Sequence, residues 1–419
     1  MVILEPAVKT IVCAAVILHV ACSALAQSPK VQTGIELLRH RNFDILKEKR
    51  VGLITNPTGV DSWLKSTVDI LYEARGLRLV ALFGPEHGVR GDVPGGEKVD
   101  SYTDPQTGLP VYSLYGKTQK PTADMLKNID VLVYDIQDVG CRSYSYISTM
   151  GLAMEAAAEN KIPFVVLDRP NPLGGIKIEG NLMEKGFESF VGRYPIPYVY
   201  GLTCGELARL LNEEGLLANG SKCRLTVVPM KGWKRTMTFS QTGLPWVPTS
   251  PHVPSESSPQ YYVSTGILGE LGVISEGVGY TIPFQTCAAE WIDQKLLADK
   301  MNALKLDGVL FRPIAFKPFY GKFKDEELKG VENHITNYGK VHLMSLQFIF
   351  MEVHNGLYPE KNPFTLADSS RIRMFDSVVG TDKIRELFTK HMAYADIKPY
   401  LEKDVDEFRA RAKKYYLYR

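Results

Sequence analysis

Four clusters of acidic, basic and amide side chains each follow directly after a short apolar run in the first half of the chain. The runs end at Thr55, Phe83, Ile136 and Asp168, and the clusters that follow read NPTG, GPEHGVRG, QDVGCR and RPNPLGG. Acids beside bases and amides are the groups that protonate, orient and bind a polar substrate. They include Asn56, Glu86, His87, Arg90, Asp135, Gln137, Asp138, Arg142, Asp168, Arg169 and Asn171.

The apolar runs predict the element that positions these clusters. Short continuous apolar runs separated by helical stretches are typical of a parallel sheet covered on both faces. In such sheets ligands bind beyond the carboxyl ends of the strands, where the four clusters would meet. We therefore expect a Rossmann-like, doubly wound α/β domain over residues 27–250 and a smaller α+β domain over residues 251–419 that closes the active-site cleft. The capping box Thr203-Cys204-Gly205-Glu206 predicts the start of a helix in the first domain.

The balance of charge argues against a nucleic-acid-binding protein. The 419 residues carry 49 basic and 47 acidic side chains, a net charge of +2, so nucleic acid is not an expected partner.

Residues 1–26 resemble a signal peptide, with an apolar stretch too short to span a bilayer. We predict export to the periplasm or medium and no stable membrane span; lipid anchoring at Cys22 is disfavoured because His19 stands where a lipobox requires an apolar residue.

Other familiar sites are missing from the sequence. There is no phosphate loop, no nucleophile elbow and no HExxH helix, and the first strand leads into NPTG rather than GxGxxG. No CxxC or Cys/His spacing predicts a metal. We expect neither cofactor nor metal. Cys204 and Cys223 are the nearest candidates for a disulfide, although buried free thiols are the favoured interpretation.

Glu86 is the preferred general acid. It lies in GPEHG, where glycines permit a tight turn after a strand, and a carboxyl in a partly apolar cleft can serve as a proton donor. His87 could tune or orient Glu86, and the alternative is a histidine that only satisfies nearby backbone groups. For Glu86 the alternative is a surface acid that caps the next helix.

The second carboxylate remains open between Asp135, Asp138 and Glu276. Asp135 and Asp138 could equally pair with Arg142 or Arg169 to shape the loop, and Asp168 and Asn171 could belong to a structural turn. Arg90 and Arg142 could clamp a carboxylate, and Tyr144 could stack on a sugar ring. The remaining candidates for substrate binding are His87, Gln137, Asp168, Arg169, Asn171, His252 and Glu276.

The longer motifs resemble a known family. GLITNPTGVD, LFGPEHGVRGD, VYDIQDVGCRSYSYISTM, VLDRPNPLGG, YGLTCGELARLLNEE and TGLPWVPTSP are similar to the exo-β-N-acetylmuramidase family of glycoside hydrolases, across essentially the whole mature chain. The resemblance implies release of N-acetylmuramic acid from the non-reducing end of peptidoglycan fragments, with Glu86 at the family's catalytic position. His252 and Val278 depart from the family pattern, where an Asn and an Arg stand. The alternatives are a hydrolase of a different amino sugar and a non-catalytic glycan-binding protein.

Overall fold

The computed structural model describes residues 31–91 and 101–419, so the predicted signal peptide lies outside the described residues. The first domain contains the strands β1 (Arg50–Thr55), β2 (Arg78–Gly84), β3 (Tyr102–Thr103), β4 (Pro110–Ser113), β5 (Val131–Asp135), β6 (Phe164–Leu167) and β7 (Leu225–Val228). Its helices are α1 (Gly34–His40), α2 (Thr67–Glu73), α3 (Ala123–Leu126), α4 (Tyr146–Glu159) and α5 (Cys204–Glu213).

These seven strands form one sheet in the order β3-β4-β2-β1-β5-β6-β7, and every pair except β3 with β4 is parallel. The chain builds outward from β1 through β2 and then returns to place β5 on the other side of β1. The order of connection therefore reverses between β1 and β5, which is where doubly wound sheets leave a crevice for ligands.

Helices cover both faces of this sheet. Ile35 and Leu71, from α1 and α2, pack with Leu53 on one face. Met150 and Leu207, from α4 and α5, pack on the other. The sheet therefore buries both faces, as its continuous apolar runs predict. The predicted capping box is present at α5, where the Thr203 hydroxyl accepts a hydrogen bond from the Glu206 backbone and the Glu206 carboxylate accepts one from Thr203 N–H.

The second domain is built around a small antiparallel sheet in the order β8-β10-β9. Its strands are β8 (Thr286–Ala289), β9 (Val309–Phe316) and β10 (Leu328–Ile335). Its helices are α6 (Ser258–Glu270), α7 (Gln294–Ala303), α8 (Ser345–Leu357), α9 (Pro363–Leu366), α10 (Ser369–Val379), α11 (Lys383–His391), α12 (Tyr394–Glu402) and α13 (Val405–Ala412). This confirms the predicted fold class, a mostly parallel α/β sheet with a smaller α+β domain.

One helix, α6, lies in the proline- and glycine-rich segment over residues 232–283, which has little periodicity in sequence. Helix α6 packs against α8, whose Gln347 side chain accepts a hydrogen bond from Leu268 N–H and donates one to the carbonyl of Val263. Because α6 is buried on several faces, it lacks the one-sided apolar stripe by which a helix is recognised in sequence.

The C-terminal residues return to the first domain. Phe408, Ala412 and Tyr415 belong to the core around α4 and α5. Tyr418 donates a hydrogen bond to Asp168 at 2.6 Å and accepts one from Met230 N–H at 2.8 Å. The last turns of the chain therefore fasten the second domain to the first. Within the part of the chain that is described, no helix has the length and apolarity needed to cross a membrane.

Candidate active site

A cleft of about 640 Å³ lies between the two domains, with lining residues from both. The first domain contributes Glu86, His87, Tyr115, Tyr144 and Tyr146. The second contributes Glu270, Val278, Phe284 and Tyr320, and the segment between the domains contributes Ser250 and His252. Aromatic walls with a few acidic and polar groups are the usual lining of a small-molecule site.

The turn after β2 brings Glu86 into this cleft. Gly88 N–H donates to the carbonyl of Pro85 at 3.0 Å, which closes a tight turn over Pro85, Glu86, His87 and Gly88. A Cβ at Gly84 would lie 3.2 Å from the Cα of Gly88, so the strand end and the turn approach more closely than a side chain comfortably allows. His87 itself has a φ of +72°. The glycines of GPEHG therefore fix a folded-back turn that points its acid at the cleft.

Tyr115 is the neighbour of Glu86 in the cleft wall. Its hydroxyl shares a hydrogen bond with the Glu86 carboxyl. Burial raises the pKa of Tyr115 to about 12, and the charge of Glu86 adds to this rise. Tyr115 therefore stays a neutral hydrogen-bond donor that holds the Glu86 side chain in place.

His252 stands in the cleft and stacks on Tyr320. The two ring centres are 5.8 Å apart and the planes differ by 15°. Burial lowers the pKa of His252, the nearby His87 lowers it further, and Glu86 acts in the opposite direction. The imidazole is therefore neutral near pH 7 and forms, with Tyr320, a flat surface of the kind that sugar rings contact.

Tyr144 also lines the cleft. Its hydroxyl donates to Thr249 Oγ1 at 2.8 Å, and its ring meets Tyr146 edge-on with centroids 4.9 Å apart. Burial raises the pKa of Tyr144 above its usual range. The ring is therefore locked by contacts on both sides and presents a fixed surface to the cleft.

The acids at the strand ends are engaged inside the first domain instead of lining the cleft. Asp135 is buried in an ion pair with Arg169 and accepts a hydrogen bond from Thr67. Asp168 accepts hydrogen bonds from Gly205 N–H and from the hydroxyls of Thr203 and Tyr418. Burial raises the pKa of Asp168 to about 7.

Asp138 is buried as well, with one oxygen accepting hydrogen bonds from Tyr200 and from Gly140 N–H. Its other oxygen has no hydrogen-bond partner. Burial raises the pKa of this carboxyl to about 6, although the bonds from Tyr200 and Gly140 favour its charged form.

This pKa predicts a pH-dependent effect of Asp138→Asn on stability. The folded state holds the Asp138 proton more tightly than the unfolded chain, so its contribution is complete below about pH 4 and is lost as the pH rises through about 6. Asn cannot ionise, so the free energy of unfolding of the variant relative to the wild-type protein should rise by about 2 kcal/mol between pH 4.5 and pH 8. Urea unfolding of both proteins at the two pH values measures this, and a difference that does not change with pH would contradict it.

The remaining predicted binding residues also have partners within the protein. Arg90 pairs with Asp104 and Asp69. Gln137 donates to the carbonyls of Asp138 and Pro170. Asn171 holds its own turn, accepting from Leu173 N–H and donating to the carbonyl of Leu202. None of these three side chains is among the cleft-lining residues.

Arg142 is fully buried and bridges the two domains. Its guanidinium donates to the carbonyls of Asn181 and Ile196 in the first domain, both at 2.7 Å. It also donates to Val378 and Val379 in the second domain, at 3.2 and 2.6 Å. Burial without an acidic partner lowers its pKa to about 10. Arg142 therefore links the two domains through hydrogen bonds to carbonyls of both.

Glu270 is a cleft-lining acid that the sequence did not single out. It is the last residue of α6, the helix hidden by its lack of periodicity, and it follows no strand. Burial raises its pKa. Glu276, the acid that the sequence did single out in this region, packs behind α6 instead. Its Cδ lies 2.8 Å from where a Cβ at Gly269 would be.

The comparisons with known proteins cover both domains. A family model described as exo-beta-N-acetylmuramidase NamZ, N-terminal, matches residues 51–257, and its C-terminal counterpart matches residues 260–418. The chain belongs to this family. The resemblance stated from the motifs is thereby confirmed.

Relatives in the family match along most of their length. The chain is 48% identical over 393 residues to the peptidoglycan beta-N-acetylmuramidase NamZ of Bacillus subtilis (strain 168), covering 94% of this chain and 92% of that protein. A crystal structure of a DUF1343 family protein from Bacteroides fragilis NCTC 9343 matches with a TM-score of 0.91 and 57% identity, covering 94% of this chain and 100% of that one. A second from the same organism has a TM-score of 0.72 and 29% identity, covering 93% and 99%.

The family's two matched regions meet at the cleft. Glu86 and Tyr115 lie in the N-terminal region, and Glu270 and Tyr320 lie in the C-terminal region. Over residues 31–91 and 101–419, no three His, Cys, Asp or Glu side chains are grouped so as to hold a metal ion. The residues that line the cleft supply carboxyls, imidazoles and hydroxyls.

Proposed function

We propose that the protein is an exo-acting glycoside hydrolase that releases N-acetylmuramic acid from the non-reducing end of peptidoglycan fragments. The observation that carries the proposal is the Glu86 carboxyl, held by the GPEHG turn in the wall of the cleft. Membership of the family, and the activity of the relative from Bacillus subtilis, support the choice of sugar.

Glu86 serves as the general acid. Its proton passes to the glycosidic oxygen as the bond to the anomeric carbon breaks and an oxocarbenium-like transition state forms. The hydrogen bond with Tyr115 fixes the carboxyl, so that the proton is already aimed when the substrate binds.

The lactyl carboxylate of N-acetylmuramic acid distinguishes it from N-acetylglucosamine. No lysine or arginine lines the cleft among the described residues, and both Arg90 and Arg142 are engaged elsewhere. We assign recognition of this group to two neutral donors in the cleft wall, the hydroxyl of Ser250 and the ring of His252.

Export is part of the proposal because peptidoglycan lies outside the cytoplasm. Its support is the N-terminal pattern of Lys9, the apolar stretch from Ile11 to Ala21 and the small residues Ala24-Leu25-Ala26.

The substrate assignment is tested by product analysis. The protein lacking residues 1–26 is incubated with peptidoglycan fragments that end in N-acetylmuramic acid and with matched fragments that end in N-acetylglucosamine. We expect free N-acetylmuramic acid from the first set and no monosaccharide from the second, as measured by mass spectrometry. Release of N-acetylglucosamine, or of internal fragments, would contradict the proposed sugar or the exo mode.

Tyr320 should contribute to binding more than to chemistry. Loss of an aromatic contact costs about 1 kcal/mol, so Tyr320→Ala should raise KM about fivefold to tenfold and leave kcat within about twofold. The matched control is Tyr72→Ala, since Tyr72 is exposed on α2 and does not line the cleft. Equal effects of the two substitutions on KM would contradict the role of Tyr320.

A further inference from the structure

The cleft contains a second carboxyl, which comes from the other domain. Glu86 comes from the turn after β2 of the first domain, and Glu270 comes from the C-terminal end of α6 in the second. Most glycoside hydrolases use two carboxyls that flank the scissile bond, one to give a proton and one to act on the other face. Glu270 is the only acid besides Glu86 among the described residues that line the cleft.

The carboxylate of Glu270 is also uncommitted. Within residues 31–91 and 101–419, no backbone or side-chain group donates a hydrogen bond to it, and no cation lies within ion-pair distance. Asp135, Asp138 and Asp168 each accept at least two hydrogen bonds from neighbours in the first domain. A carboxylate that lines a cleft without a partner from the protein is available to water and substrate.

The surroundings of Glu270 suit a group that accepts a proton. Val278 and Phe284 line the cleft with it. Burial raises its pKa, with Arg371 acting in the opposite direction, so it is a stronger base than an exposed carboxylate. Glu276 lies behind Gly269 with its pKa raised to about 7 by burial, and the charge of Glu270 contributes to that rise. Glu276 therefore lies close to Glu270 but does not line the cleft.

We propose that Glu270 is the catalytic base of the hydrolysis, an assignment that rests on the proposed function. The bond between the anomeric carbon and the glycosidic oxygen breaks while Glu86 gives its proton to that oxygen. The oxygen of a water molecule bonds to the anomeric carbon, and a proton of that water passes to the Glu270 carboxylate. Glu270 then loses a proton to solvent and Glu86 regains one. Because water attacks the face opposite the leaving sugar, a β-linked substrate gives the α anomer first.

Two substrates distinguish the loss of a catalytic base from the loss of a catalytic acid. One is the disaccharide of N-acetylmuramic acid and N-acetylglucosamine, whose leaving group needs a proton. The other is a nitrophenyl β-N-acetylmuramide, whose leaving group departs without one. Glu270→Gln should lower kcat/KM by about 10²–10⁴-fold on both substrates. Glu276→Gln should cost less than about tenfold, and Glu290→Gln, at an exposed position of the same domain, should match the wild-type protein.

A rescue experiment excludes a structural explanation of the loss. In Glu270→Ala, azide needs no deprotonation and should attack the anomeric carbon directly, which restores turnover of the nitrophenyl substrate and forms an α-N-acetylmuramyl azide. A misfolded variant would not give this product. The first-formed anomer from the wild-type protein is read by proton NMR.

Several results would overturn the assignment. The first is a kcat/KM of Glu270→Gln within about threefold of that of Glu290→Gln on both substrates, and the second is a loss of kcat/KM confined to the disaccharide. The third is the absence of the azide product from Glu270→Ala. The fourth is a β anomer formed first by the wild-type protein. Any of these alongside wild-type turnover overturns the base assignment alone. Absence of wild-type turnover on both substrates overturns the proposed function and the assignment with it.

Discussion

Glu86→Gln should lower kcat/KM on the muramyl disaccharide by about 10²–10⁴-fold, which is the usual contribution of a positioned general acid. The amide keeps the size of the side chain and can still accept a hydrogen bond from Tyr115, so the cleft should keep its shape. It has no acidic proton to give to the glycosidic oxygen. Initial rates on the disaccharide, with released N-acetylmuramic acid measured by mass spectrometry, give the effect.

The control for this variant is Glu256→Gln. Glu256 is exposed, precedes α6 and does not line the cleft. We expect it to keep full activity. The nitrophenyl muramide adds a second comparison, because Glu86→Gln should be far less impaired on a leaving group that needs no proton. A Glu86→Gln variant as active as Glu256→Gln on the disaccharide would contradict the role of Glu86 as the acid.

Arg142→Met should destabilise the protein by about 3–5 kcal/mol. The substitution leaves the carbonyls of Asn181, Ile196, Val378 and Val379 without the donor that they share. Each buried acceptor that loses its partner costs about 1–3 kcal/mol, and partial relaxation reduces the sum. Because two of the carbonyls belong to each domain, the loss falls on the contact between the domains.

Urea unfolding followed by circular dichroism measures this change in the free energy of unfolding. Arg373→Met is the matched control, since Arg373 is exposed on α10, close to the carbonyls that Arg142 binds. The control should stay within about 0.5 kcal/mol of the wild-type protein. A loss below about 1 kcal/mol for Arg142→Met would show that the two domains do not depend on this guanidinium.

The fold was predictable because its evidence is local. Each buried strand of the parallel sheet is a continuous apolar run, and the capping box at Thr203 marks the start of α5 within four residues. The short strands β3 and β4 were missed because Pro110 opens β4 and neither strand has a long apolar run. Helix α6 was missed for the opposite reason, since burial on several faces removes periodicity.

The site was predictable only in part because its contacts are not local. The GPEHG turn carries its own geometry, so Glu86 could be placed at a strand end from the sequence alone. Asp138 and Asp168 stand at strand ends too, but their partners Tyr200 and Tyr418 lie 62 and 250 residues further along the chain. The residues next to an acid in sequence do not reveal whether a distant hydroxyl will donate a hydrogen bond to its carboxylate. Glu270 shows the converse, a cleft-lining acid with no neighbouring motif.

A crystal structure of Glu86→Gln with the muramyl disaccharide would show directly whether Glu86 faces the glycosidic oxygen. We expect the muramyl ring in the cleft between the domains, with the glycosidic oxygen about 3 Å from the side-chain amide at position 86. We also expect the muramyl ring to contact the surface formed by His252 and Tyr320. A disaccharide bound elsewhere, or a glycosidic oxygen out of reach of position 86 while the sugar fills the cleft, would rule out Glu86 as the general acid.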